Sequence, residues 1–139
     1  MKKTKLLVLT TIITAGLFLI SWIVPQEQKK GEPWEIPEMY KKMENPYKDD
    51  ASLNKVGKML YAKHCKSCHG NKGLGDGPMA KSLETFSGDF SSEEFQNQSD
   101  GVLFYKSFIG RDEMPNYEKK ITDDEDRWAI INFLRTFKK

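Results

Sequence analysis

The feature that most constrains this chain of 139 residues is the motif CKSCH at residues 65–69. The motif contains both cysteines of the chain and one of its two histidines, and the other histidine, His64, directly precedes it. The soft metal ligands other than methionine are therefore confined to six consecutive residues. Such a cluster is typical of a metal site, of a thiol redox pair or of a covalent attachment point.

The spacing of the motif favours covalent attachment of haem. Structural zinc is normally held by two ligand pairs that lie apart in sequence, and residues 64–69 form too short an arc to surround one ion. A thioredoxin-type dithiol needs a βαβ context, and a disulfide across so small a loop adds little stability. C-x-x-C-H is instead the attachment signature of c-type haem, in which Cys65 and Cys68 form thioethers and His69 binds the iron. The zinc, dithiol and disulfide alternatives are less favoured but stay open on the sequence alone.

A haem iron can take a second axial ligand, commonly histidine or methionine. His64 adjoins the attachment loop and is not expected to reach the opposite face, so we interpret it as a surface residue. Met79 follows the motif too closely, and Met59 lies at core spacing in the first predicted helix. Met114, in the segment GRDEMPNY between two predicted helices, can lie across the distal face, where Pro115 would stiffen the loop. We therefore predict that Met114 is the distal ligand.

Apolar spacing and capping residues predict an all-α domain. A first helix is expected over residues 52–63, and a second begins at Ser99 or its neighbour and stops at Gly110. The last helix is predicted to begin at Thr122, which forms a capping-box pattern with Glu125. Sustained period-two alternation is missing throughout, so we expect little or no sheet. A domain this small has a weak core, and a large buried prosthetic group would add apolar bulk.

Two segments precede this domain, which we assign to residues 51–139. Residues 6–24 are uncharged and follow three lysines. A helix of that length spans roughly 28 Å, close to the hydrocarbon thickness of a bilayer, and the lysines orient the rest of the chain outward. We favour a membrane anchor within residues 1–24 over a cleaved signal peptide, because no small-x-small cleavage site precedes Pro25. Residues 25–50 hold four prolines among charges and predict a tether, whose apolar residues pack either on the domain or on a partner.

The charge distribution gives no sign of nucleic-acid binding. The formal net charge is +2, but apart from the three N-terminal lysines the chain carries 19 basic and 20 acidic residues. A nucleic-acid-binding domain shows a clustered basic face instead. We therefore expect an ordinary solvated surface and no nucleic-acid partner.

The chain from about residue 54 onward resembles a class I monohaem cytochrome c of the bacterial type. VGKMLYAKHC, with Gly57 and Tyr61, is similar to the first helix of that family, and CKSCHGNKGLGDGP is similar to its haem-binding segment. GRDEMPNY resembles the distal-methionine loop, and EDRWAIINFLRTF resembles the C-terminal helix. The resemblance implies three to five helices around one covalent haem c, with the C-terminal helix crossing the first helix near Gly57. It also implies that the carbonyl of Pro78 accepts a hydrogen bond from Nδ1 of His69.

The function implied by the resemblance is one-electron transfer, and not catalysis on a substrate. With His69 and Met114 as axial ligands, the iron would be saturated in both redox states. The expected partners are membrane redox proteins or respiratory complexes on the outer, periplasmic side of the cytoplasmic membrane. Two alternatives stay open. One is a fixed haem subunit of a larger membrane complex, which residues 34–40 would favour. The other is a haem enzyme or sensor with an open sixth site, which requires Met114 not to bind.

Overall fold

The computed structural model describes residues 28–48 and 50–139. Within these ranges the regular structure is helical, with two isolated β-bridges and no β-strand. The all-α prediction is therefore confirmed for the described residues. None of the helices in these ranges is both long enough and apolar enough to cross a membrane. The predicted anchor within residues 1–24 lies outside the described residues.

Six α-helices occur in the described part of the chain, and three of them are longer than a single turn. They are α1 (Glu38–Lys41), α2 (Asn54–His64), α3 (Lys66–His69), α4 (Glu93–Gln96), α5 (Asp100–Ile109) and α6 (Asp124–Arg135). Single 3₁₀ turns occur at Ala51–Leu53 and Ala80–Ser82. Five of the α-helices lie within residues 51–139, which agrees with the predicted three to five.

Polar side chains set the starts of the two longest C-terminal helices. Ser99 caps α5 by accepting a hydrogen bond from the N–H of Val102, and α5 ends before Gly110 as predicted. The predicted start of α6 at Thr122 is wrong by one residue. Asp123 is the cap, because its carboxylate accepts hydrogen bonds from the N–H groups of Glu125 and Asp126. A carboxylate at this position also favours the positive end of the helix dipole.

The crossing of α2 and α6 positions the cysteine motif at the end of α2. The backbones approach so closely at Gly57 that an added Cβ would lie 2.0 Å from the carbonyl oxygen of Ala129. This confirms the expected crossing near Gly57. Tyr61, one turn later on the same face, is 2 % exposed and packs on Phe133 of α6. The prediction that Met59 belongs to the core is wrong, because it lies on the opposite face of α2 and is 63 % exposed.

The core includes Tyr61 of α2 and the residues where α5 packs on α6. Phe104 of α5 packs on Phe108 of the same helix and on Trp128 of α6, with ring centroids 4.8 and 4.5 Å apart. The buried apolar residues of this region are Leu103, Phe104, Phe108, Ile121, Trp128, Ala129, Ile130, Ile131 and Leu134. Burial of a large apolar side chain contributes about 1.5–3 kcal/mol, so this cluster fixes the two helices that flank the segment carrying Met114.

Residues 28–48, which we call the strap, pack on the helices of the same chain. Tyr40 lies 4.8 Å from Tyr105 between ring centroids, and Gly101 allows the close approach because a Cβ there would meet the carbonyl oxygen of Tyr40 at 2.1 Å. Asn45 donates a 2.8 Å hydrogen bond to the side-chain oxygen of Asn132, a buried polar residue of α6. The aromatic residues Trp34 and Tyr40 of this segment therefore pack on their own domain, whereas Met39 is 65 % exposed.

Candidate haem site

The cysteine motif forms a single helical turn that continues α2. Cys65 donates its backbone N–H to the carbonyl of Tyr61 at 2.9 Å, and His69 donates its own to the carbonyl of Cys65 at 3.0 Å. Cys68 and His69 therefore lie on α3, one turn beyond the first cysteine. Residues three apart on a helix share a face, so the two sulfur atoms project to the same side of the turn.

Both cysteines of the described chain are free thiols. Burial, together with the smaller effect of the neighbouring Cys68, raises the pKa of Cys65 to about 12. Because the thiolate is the form that attacks a disulfide, this environment does not activate Cys65 for thiol exchange. The dithiol and disulfide alternatives therefore gain no support. Zinc gains none either, because no group of three or more histidine, cysteine, aspartate or glutamate side chains able to hold a metal occurs in residues 28–48 and 50–139.

His69 is buried, with 8 % of its surface exposed, and its ring stacks on Phe90 at 4.4 Å between centroids. Burial lowers the pKa of His69 to about 4, so the imidazole is neutral at physiological pH. Neutral imidazole is the form that binds a metal. The Nδ1 atom of this ring is buried and has no hydrogen-bond partner among the described residues.

The glycine-rich loop after the motif folds back onto it. Gly75 and Gly77 donate their N–H groups to the carbonyls of His69 and Cys68 at 3.0 and 3.1 Å. Gly77 also approaches the backbone so closely that an added Cβ would lie 2.3 Å from the carbonyl oxygen of Ser67. This loop brings Pro78 next to the motif. Nδ1 of His69 has no hydrogen-bond partner among the described residues. The hydrogen bond from Nδ1 to the carbonyl of Pro78 therefore stays a prediction.

Met114 ends a tight turn between α5 and α6. Arg111 and Met114 exchange backbone hydrogen bonds of 2.9 and 2.8 Å and form an antiparallel bridge. Asp112 takes a left-handed conformation with φ of 48°, which aspartate adopts more readily than most residues. At the base of the turn, Gly110 has φ of 69°, and a Cβ there would lie 2.4 Å from the carbonyl oxygen of Met114. The predicted ligand is thus half-buried in a fixed turn.

The segment after Met114 is joined directly to the end of α2. The hydroxyl of Tyr117 donates a 2.8 Å hydrogen bond to the carbonyl of His64, and the two rings lie edge to face at 5.8 Å. Tyr117 also donates its backbone N–H to the carbonyl of Phe108 at the end of α5. His64 is therefore held by its backbone and by an aromatic contact, as a residue outside the predicted ligand set.

Two charged residues beside Met114 were not singled out in the sequence. Arg111 donates from its guanidinium to backbone carbonyls of the strap, and Glu113 accepts from the backbone amides of Glu84 and Thr85. These amide donors lower the pKa of Glu113. Both side chains bind backbone groups. Because such groups are common to all residues, the amino-acid sequence does not indicate these contacts.

The residues of this site fit a covalently bound haem. Cys65 and Cys68 supply two free thiols on one turn, which is the requirement for two thioether bonds. His69 supplies a buried neutral imidazole beside them, and its unpartnered nitrogen is the kind of polar atom that a metal ligand or its supporting bond satisfies. Met114 offers a thioether sulfur, a soft ligand that haem iron accepts.

Comparisons with known proteins agree with this arrangement. The family model described as Cytochrome c matches residues 54–138, which is more than half of the chain. A solved structure titled "KustC0563 c-type cytochrome" is 32 % identical, with a TM-score of 0.51, and the match covers 60 % of this chain and 98 % of that one. No curated protein is a significant match. The chain therefore belongs to the cytochrome c family and is a c-type cytochrome, with haem c as its covalently bound cofactor.

Proposed function

We propose that this chain is a class I monohaem electron carrier in which His69 and Met114 are the axial ligands of the iron. The observation that carries the proposal is the buried, neutral imidazole of His69 on the same turn as two free thiols. The chain has two cysteines in all, which is enough to attach one haem. Members of the cytochrome c family are typically electron carriers and not enzymes.

Each residue of the site has a distinct task in this proposal. Haem c, when bound, supplies a one-electron couple. Cys65 and Cys68 would keep it on the chain, and His69 and Met114 would both bind the iron, which would leave no open position for a substrate. A methionine ligand raises the reduction potential relative to a second histidine. Pro78 would orient the ring of His69 through its carbonyl, as hydrogen-bond partners of metal ligands do.

The location in the proposal is the outer, periplasmic face of the cytoplasmic membrane. It is supported by the sequence, in which the uncharged residues 6–24 follow three lysines. An anchor there would hold the domain near membrane redox proteins or respiratory complexes at a high effective concentration. Mass spectrometry of the membrane-bound protein tests this part, because a chain beginning near Pro25 would mean that the anchor is cleaved.

The contacts of the strap support a carrier over a fixed subunit of a complex. Residues 34–40 would favour a fixed subunit if their aromatic side chains were free to bind a second protein. Trp34 instead packs edge to face on Tyr105 at 6.4 Å, and Tyr40 packs on the same ring. These aromatic side chains are thus already partnered within the chain, and a second protein is not needed to cover them.

Replacing Met114 with alanine is expected to open the iron to external ligands. The reduced wild-type protein should bind carbon monoxide poorly, because carbon monoxide can bind the iron only when Met114 has left it. If the site is open about 1 % of the time, the apparent affinity is lowered about 100-fold, and Met114→Ala should recover that factor. Absorbance titration of the reduced proteins with carbon monoxide measures it.

The matched control for this experiment is Met79→Ala, because Met79 is 54 % exposed and follows the same motif. It should bind carbon monoxide as poorly as the wild type. Ready binding of carbon monoxide by the wild-type protein would contradict the ligand assignment. It would favour the haem enzyme or sensor with an open sixth site.

A further inference from the structure

The turn that carries Met114 is fastened to the strap by one side chain. Arg111, which pairs with Met114 across the turn, donates from its guanidinium to the carbonyl of Pro33 at 2.9 Å and to the carbonyl of Glu32. Its Cζ atom also lies 4.2 Å from the ring centroid of Trp34. A guanidinium that binds two carbonyls and covers an aromatic ring is held in one orientation.

The same turn is fastened on its other side to residues 84–86. The carboxylate of Glu113 accepts hydrogen bonds from the backbone N–H groups of Glu84 and Thr85, at 3.1 and 3.0 Å. A charged acceptor with two amide donors forms a stronger contact than a neutral pair. Glu113 and Arg111 are therefore two separate attachments of one four-residue turn.

The strap and residues 84–86 are in turn joined to each other. Lys29 and Thr85 form a parallel bridge, and Phe86 donates its N–H to the carbonyl of Lys29 at 3.0 Å. Gly31 of the strap lies close to both Thr85 and Arg111. An added Cβ at Gly31 would be 3.0 Å from Cγ2 of Thr85 and 3.4 Å from Nη2 of Arg111. The three segments form a closed ring of contacts in which each segment holds the other two.

We propose that the strap helps to keep Met114 in place, so that external ligands are excluded from the haem iron. Arg111 and Glu113 are the positioning residues for Met114. This inference rests on the proposed role of Met114 as the distal ligand. A methionine on a loop fixed at two points leaves the iron less often than one on a free loop, because opening must break several contacts at once. The strap lies outside residues 54–138, the range that matches the family model.

The test uses two variants of the full-length holoprotein, Arg111→Ala and Glu113→Ala. Glu113 is exposed and Arg111 is half-buried, and both changes keep the backbone groups that pair Arg111 with Met114. The matched control is Lys30→Ala, because Lys30 belongs to the strap but pairs only with the exposed carboxylate of Glu94 among the described residues. The readouts are hydrogen exchange of the Met114 amide and carbon monoxide affinity of the reduced protein. Denaturant unfolding checks that global stability is retained.

In the two variants, the amide of Met114 should exchange about tenfold faster than in the control, because the turn opens without global unfolding. Carbon monoxide affinity should rise by part of the factor gained in Met114→Ala. In Arg111→Lys, which keeps the positive charge, both the rise in affinity and the rise in exchange should be smaller than in Arg111→Ala. If exchange and affinity in Arg111→Ala equal those of Lys30→Ala, the role of the strap is overturned, whatever the result for Glu113→Ala. If Met114→Ala itself gains no affinity, the ligand assignment fails instead, and the two failures are thereby distinguished.

Discussion

Changing both Cys65 and Cys68 to serine is expected to remove the covalent link between haem and the chain. Thioether formation adds a thiol S–H across a vinyl group, and serine offers no thiol. The denatured wild-type protein should have the mass of its polypeptide plus one haem, whereas the double variant should have the mass of the polypeptide alone. Mass spectrometry under denaturing conditions measures this difference.

The two single cysteine variants and a variant of the neighbouring Ser67 are the controls for the double variant. Cys65→Ser and Cys68→Ser should each keep haem through the remaining thioether. Ser67→Ala, between the two cysteines, should keep both bonds, because Ser67 is exposed and its hydroxyl makes only a 3.9 Å contact with the sulfur of Cys68. Covalent haem in the double variant, or a bare wild-type chain, would show that these cysteines are not the attachment points.

Replacing Gly57 with alanine is expected to destabilise the protein, although the same change in an isolated helix stabilises it by about 1 kcal/mol. The added methyl group would lie 2.0 Å from the carbonyl oxygen of Ala129 and 2.6 Å from its carbonyl carbon. The two helices must separate to relieve this overlap, and overpacking of this kind costs roughly 1–3 kcal/mol. Urea unfolding of the holoprotein measures the change in the free energy of unfolding.

Lys58→Ala is the control for helix propensity, because Lys58 is the next residue of α2 and is exposed. Its effect should stay within about 0.5 kcal/mol of zero. A Gly57→Ala variant as stable as the wild type would mean that α2 and α6 do not cross in contact at this position.

Local signals in the sequence predicted the helices and the cysteine motif well. Ser99 and Gly110 mark the ends of α5 because a side-chain cap and a glycine stop act over a few residues. The start of α6 was displaced by one residue because Thr122 and Asp123 are both suitable caps. Asp123 is used in the structure, since its carboxylate reaches two amides.

Contacts between distant segments were less predictable. Met59 has the helical spacing of a core residue, but the face of α2 that meets α6 is set by Gly57 and Tyr61. Burial depends on which face meets a partner, and spacing within one helix does not decide that. The strap shows the same limit. Its prolines predicted an interrupted segment, whereas its attachment to Arg111 depends on backbone carbonyls that any residue carries.

The most direct test of the account is a redox titration of the full-length holoprotein, followed by absorbance with and without carbon monoxide. We expect one reversible one-electron transition, with about 59 mV for each tenfold change in the ratio of oxidised to reduced protein. If His69 and Met114 both bind the iron, as proposed, carbon monoxide should leave the midpoint unchanged at concentrations that raise the midpoint of Met114→Ala. A ligand that binds the reduced form alone raises the midpoint by linkage. A wild-type midpoint that rises at the same carbon monoxide concentrations as that of Met114→Ala would therefore contradict a closed, six-coordinate electron carrier.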